Sequence, residues 1–238
     1  MNASESWPMA ESLAPELEPY LSEPKDGWQV LQHPLVYQVP YFPPMNAVVN
    51  RILRNKREQL LIAREGRNWQ RYLMLHERPY RLNAFTVIES LLTDTHYWEL
   101  LGDLWQDSEN IWQNFPVWTS KMKSLRPERH NFMSKEDKER LDAMPKRLTI
   151  YRGGSARNRH GLSYSLDYDK ALWFSRRLDC KDPMVYKRTV RKVDVFALLL
   201  SRDEQEVIIH PDIIKAGGGL NERASRFVSD GRGAVASG

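Results

Sequence analysis

The sequence predicts an α+β protein, with a helical N-terminal region and a compact β-rich domain after it. Two observations carry that expectation. From Asn46 to Pro145 apolar residues recur at helical spacing, and after Pro145 they gather into short runs rich in β-branched residues. Three short motifs follow, Tyr151-Arg152-Gly153, Ser163-Tyr164-Ser165 and Glu204-Gln205-Glu206, each on or beside a predicted strand.

Composition sets the outer bounds. The chain has 238 residues, 41% of them hydrophobic and 28% charged, enough for one large domain or two small ones and too apolar for a disordered chain. A net charge of +4 is modest, so attraction to an acidic partner has to come from local clustering. The single cysteine, Cys180, excludes an internal disulfide framework and thiolate-rich metal sites. His33, His76, His96, His130, His160 and His210 lack metal-ligand spacing, so no metal is expected. No apolar run has the length of a membrane span, and the first residues carry Glu5, Glu11, Glu16, Glu18 and Glu23 where a secretory signal has a basic start. The expected compartment is the cytosol.

Residues 1–45 are proline-rich and read as an extended arm closed by a turn at Pro43-Pro44. The helical region spans 46–145. It opens with a basic helical stretch to Arg81 and continues with a helix from Asn83 to Gln106. There Asn83 caps, and Phe85, Ile88, Leu91, Leu92, Thr95, Trp98, Leu101 and Trp105 share a face. A shorter helix covers Ser108–Phe115. Another starts at Ser134, where Asp137 stands at capping-box spacing, and stops by Pro145. Trp98, Trp105, Trp112 and Trp118 read as core.

The third region, 146–215, begins with a strand at Leu148–Tyr151 that runs into a loop at Arg152-Gly153-Gly154. A short strand at Leu162–Leu166 leads to an Asp167 cap and a helix to about Leu178, with Trp173 and Phe174 as packing residues. Met184–Val190, Val193–Leu200 and Val207–Ile209 are further β segments. From Ala216 on, glycine, serine and alanine dominate, and 216–238 reads as a flexible tail.

The motifs have a shared chemistry. Ser163 and Ser165 lie two apart on a strand and share a face, as Glu204 and Glu206 do if the strand reaches back that far. Two carboxylates so close repel, which raises one pKa or calls for a partner. The planar fork of Arg152 suits phosphate, and Gly153 lets a backbone approach a flat ligand. An anion-gripping arginine, a hydroxyl pair and a carboxylate pair suit a phosphate-bearing glycosidic substrate.

In this order, Tyr-Arg-Gly, Ser-x-Ser and Glu-x-Glu resemble the arginine–serine–glutamate class of mono-ADP-ribosyltransferases. The phrases Gly161–Asp167, Ala171-x-Trp173-Phe174 and Asp203–Ile208 are similar to small phage-encoded members, some of which act as anti-CRISPR proteins. The resemblance covers roughly Leu148 to His210. It implies an ADP-ribosyltransferase-like split β-sheet domain, NAD as substrate and no metal. It also implies roles. Glu206 would bind the ribose 2′-hydroxyl and stabilise an oxocarbenium-like state, and Glu204 would orient or deprotonate the acceptor, with arginine the favoured acceptor. Ser163 would support the glutamate and the nicotinamide ribose, while Ser165 fixes strand geometry. Arg152, after Tyr151, would hold pyrophosphate or ribose, and Gly153 the nicotinamide carboxamide. The span between Arg152 and Ser163 is shorter than in toxin members, so Arg157, Arg159 and His160 stand as candidate phosphate contacts in place of missing elements.

The implied partner is a host protein, recognised through the helical region 46–145, as in a phage counter-defence or host-takeover factor. Arg51, Arg54, Lys56, Arg57, Arg64, Arg67, Arg71, Arg78 and Arg81 form a basic stretch there, diluted by Glu58, Glu65 and Glu77. That dilution favours a wet helix face over a nucleic-acid surface and leaves a protein partner open. Two other functions stay open: a non-catalytic inhibitor on the same fold, and a NAD glycohydrolase with water as acceptor.

Overall fold

A computed structural model describes residues 11–155, 159–177, 183–200, 205–215 and 223–226. The chain divides into two compact units, Met1–Glu109 and Asn110–Gly238. The stretch 46–145, expected to act as one helical region, is therefore shared between both.

The first unit holds strands β1 (Gln29–His33) and β2 (Val36–Tyr41) and helices α1 (Asn46–Glu65), α2 (Trp69–Met74), α3 (Arg81–Ile88) and α4 (Asp94–Asp107). Residues 11–45 differ from the expected extended arm. β1 and β2 pair as an antiparallel hairpin, and Leu17, Leu31, Leu35, Val36 and Tyr41 form a core with Val49 and Leu53 of α1. Pro40 fits because β2 is an edge strand that can do without one backbone N–H. The prolines concealed an alternation that buries Leu31 and Val36.

The basic helical stretch breaks after Glu65, where Arg67 adopts a left-handed backbone (φ 51°) and Asn68 caps α2 by accepting the Arg71 N–H. The expected helix from Asn83 to Gln106 is two helices. Thr93 caps α4 through the His96 N–H, and Asn83 lies inside α3, which a 3-10 turn at Arg78–Tyr80 starts early. Trp98, Leu101, Leu104 and Trp105 of α4 are buried. Much of the basic charge meets carboxylates: Arg54 with Glu11, Arg57 with Glu16, Lys56 with Glu77, and Arg78 and Arg81 with Asp107.

The second unit holds α5 (Phe115–Met122), α6 (Lys135–Ala143), β3 (Arg147–Gly154), β4 (Ser163–Ser165), α7 (Tyr168–Arg176), β5 (Met184–Arg191), β6 (Val195–Leu199), β7 (Glu206–Ile209), α8 (Pro211–Lys215) and β8 (Arg223–Arg226). Ser134 caps α6 by accepting the Asp137 N–H, the capping box the sequence predicts. Buried Asp137 also accepts the Leu200 N–H at 3.0 Å, which ties α6 to the end of β6. Trp118 is buried, whereas Trp112, expected in the core, is 55% exposed.

Six strands form one antiparallel sheet in the order β6-β7-β4-β3-β5-β8. Gly153 and Gly154, expected in a loop, are the last residues of β3 and pair with Val185 and Met184. β8 falls within the stretch expected to be a flexible tail. Leu148 and Ile150 of β3, Tyr164 of β4, Val207 and Ile209 of β7 and Leu198 of β6 share a core with Leu141 of α6. α7 packs against β3. Among the described residues no helix is long and apolar enough to cross a membrane.

Candidate active site

The sheet order brings the three motifs together. β4 lies between β3 and β7, and Ser165 sits opposite both Tyr151 and Glu206. Directly opposed residues share a face, so Tyr151, Ser165 and Glu206 make one row across three strands. Ser163, two residues from Ser165, takes the same face. The alternate residues, Arg152, Tyr164 and Val207, take the other, where Tyr164 and Val207 join the core.

Local contacts hold each end of the row. Ser165 is 5% exposed, and its Oγ accepts the Asp167 N–H at 3.0 Å. Asp167 Oδ1 in turn accepts from the Asp169 and Lys170 backbones, so the serine strand and the start of α7 are pinned together. Gln205 is left-handed (φ 45°), and its carbonyl accepts the Leu166 N–H at 3.0 Å. That turn delivers the half-buried Glu206 at the first position of β7. Tyr151 is half-buried, and the Tyr168 ring meets it edge-on, 5.4 Å between centroids. Trp173 of α7 differs from the packing role expected for it: it is 55% exposed, with the Arg177 guanidinium 5.3 Å from its ring.

Gly153 lies against α7. A Cβ there would stand 1.8 Å from the Ala171 carbonyl oxygen and 2.6 Å from the Ser175 nitrogen, so helix packing alone requires a glycine. Arg152 turns to the core face, and its Nη1 donates to the Ser163 carbonyl at 2.6 Å. A Cβ on Gly161 would fall 2.2 Å from the Arg152 Cζ, so Gly161 makes the room for this guanidinium. Burial holds the Arg152 pKa below the usual arginine value. The charge of Arg188 pushes the same way, while Tyr164 and Glu206 oppose it. The side chains of Ser163, Ser165 and Glu206 thus share a face, and Arg152 joins them through the β4 backbone from the other side. Arg159 is exposed beside His160, whereas Glu204 and Arg157 lie outside the described residues.

Sequence analysis missed two of the groups around Arg152: the Tyr164 ring and Arg188. The signal for Arg188 was present. Tyr186, Arg188 and Val190 alternate on the buried face of β5, and a charge on an apolar strand face rarely lacks a purpose. Among the described residues no group of histidine, cysteine, aspartate or glutamate is arranged to hold a metal ion.

No protein-family model matches this chain, and no curated protein or solved structure gives a significant match.

Proposed function

We propose that the chain is a mono-ADP-ribosyltransferase that moves ADP-ribose from NAD to a side chain of a host macromolecule, most simply a protein with an arginine acceptor. One observation supports this above the rest: three motifs far apart in sequence lie on three neighbouring strands, with Ser165 opposite both Tyr151 and Glu206. In this proposal the Glu206 carboxylate takes the ribose 2′-hydroxyl and offsets the positive charge that develops as nicotinamide leaves. Ser163 supports it from the same face, and Ser165 keeps the strand end fixed through Asp167. Glu204 orients the acceptor.

Arg152 reaches the opposite face near Gly161. A dinucleotide touching both Glu206 and Arg152 therefore runs past β4, from Ser165 to Gly161, roughly 13 Å at about 3.3 Å per residue. An extended ligand suits that path better than a compact one.

The test is incubation of the protein with labelled NAD and a bacterial host lysate, with Glu206→Ala in parallel. The expected result is a discrete labelled band that falls by about 100-fold or more in the variant, the scale of loss when a transition-state charge partner is removed. Labelling that survives in Glu206→Ala overturns the glutamate assignment. Consumption of NAD without a band makes the protein a glycohydrolase, and intact NAD without a band makes it a binding protein.

A further inference from the structure

The two sides of α1 meet different surroundings. Val49, Asn50, Leu53 and Ala63 are buried, and Val49 and Leu53 close the hairpin core of the first unit. The opposite side is open to solvent. Val48, Arg51, Asn55, Glu58 and Ile62 follow one another along it at steps of three and four, the spacing of a single helix face, and all five are exposed. Val48 is 42% exposed and Ile62 50%, with Leu61 beside it at 61%. Apolar residues thus stand at both ends of the stripe and polar ones in its middle.

The charges of α1 divide in the same way. Arg54, Lys56 and Arg57 meet Glu11, Glu77 and Glu16 within the chain. Arg51 and Glu58, on the open stripe, make no ion pair among the described residues. Their positions are complementary about Asn55. Val48 and Ile62 lie seven positions to either side of it, about 10 Å along the axis, while Arg51 stands four before and Glu58 three after. A second α1 laid antiparallel, with a two-fold axis at Asn55, brings Val48 onto Ile62 and Arg51 onto Glu58 at each end. Asn55 meets its own copy, and an amide that both donates and accepts can bond to its like. A parallel pairing instead sets Arg51 on Arg51 and Glu58 on Glu58, which repel.

We propose that the open stripe of α1 is a self-association surface, and that its occupant is α1 of a second copy of this chain, packed antiparallel. The same patch serves both copies, as a two-fold interface requires. Val48, Ile62 and Leu61 supply the apolar contact at the ends, and the two Arg51–Glu58 pairs fix direction and register. From Val48 to Ile62 the contact runs about 21 Å. A single helix pair of that length falls at the low end of interface sizes, so the dimer is weak and reversible.

The experiment is sedimentation equilibrium of the full chain from about 1 µM to 1 mM, the span a small interface calls for. It is repeated on Arg51→Glu, on Glu58→Arg and on the two substitutions combined. All are at exposed positions, and thermal unfolding in dilute solution confirms that each variant folds. The unaltered chain is expected to show a reversible monomer–dimer equilibrium. Each single substitution should weaken it by about tenfold or more, because the two-fold axis makes every reversal act at both ends. The combined variant restores the opposite charges across the interface and should return association to within a few-fold of the original. A chain that stays monomeric over the whole range overturns the assignment and leaves the stripe to a foreign partner. A dimer that ignores both reversals uses another surface. Loss in both single variants without recovery in the combined one rules out the antiparallel register.

Discussion

At Gly161 a hydrogen atom in place of a methyl group decides where a positive charge sits. A Cβ would overlap all three terminal atoms of the Arg152 guanidinium, at 2.2 to 2.5 Å. Those atoms are the far end of a long side chain, so the arginine can leave. What is lost is its bond to the Ser163 carbonyl. Gly161→Ala should therefore cost about 1–3 kcal/mol, the worth of a hydrogen bond to a charged group, measured by urea denaturation. An unchanged midpoint would mean that the guanidinium finds an equal partner elsewhere. Single-residue features that depend on near neighbours were legible in the sequence: the Asp167 cap and the Ser134–Asp137 box both appear as predicted. The grip of Arg152 on a backbone carbonyl was not, because it depends on a strand that pairs only after the chain has turned back.

Among the elements, α7 and β3 approach closely at Gly153. Gly153 faces backbone atoms of α7, and unlike a side-chain tip these cannot swing aside. Gly153→Ala has to lift the helix, separating Tyr168 from Tyr151, and should destabilise by roughly 3 kcal/mol, the upper part of the overpacking range. Urea denaturation reads the loss, and tyrosine fluorescence or NMR reads the separation. A cost below that of Gly161→Ala would show that α7 has slack. Gly153 and Gly154 read as a loop because glycine is depleted in strands. The register showed the opposite: they extend β3, and at Gly153 the close helix is why no larger residue stands there. Likewise the motifs indicated three strands, while their adjacency came only from the order β7-β4-β3.

On the scale of the molecule, each unit has its own core, which makes the boundary testable. A fragment beginning at residue 146 loses Leu141 from the sheet core, the Asp137 bond to Leu200, and the Asp142 and Met144 carbonyls that accept from Lys192. A fragment of residues 110–238 keeps them all. The longer piece should give a cooperative unfolding transition and dispersed NMR resonances, and the shorter one neither. If the shorter piece folds as well, the helices before β3 are dispensable. Sequence reasoning put the boundary at Pro145 because periodicity changes there, but periodicity reports local conformation and says nothing of which helix a sheet recruits.

Stability should also depend on pH. Burial, the largest cause, holds His33, His76 and His210 below the ordinary histidine value of 6.5. The unfolded chain then binds protons more readily than the folded one, so stability rises with pH across that window. The contribution is complete above the ordinary value and is lost as pH falls through the depressed folded values. The melting temperature should drop between pH 7 and about pH 5, and less steeply in His33→Gln. A flat profile would mean that these rings protonate without disturbing the fold.

The place of β7 in the sheet bears on how the chain is made. β4 has only three residues, and its far side is covered by a strand that follows it in sequence by some forty positions. A nascent chain that has emerged through β6 already carries the arginine and both serines, yet β4 still offers a bare edge. The glutamate arrives on the strand that covers it, so the step that closes this edge of β4 is also the first moment at which the row is complete. On the transferase reading, an incomplete chain on the ribosome is an inert one. On that reading the producing cell is spared the activity until β7 has been synthesised.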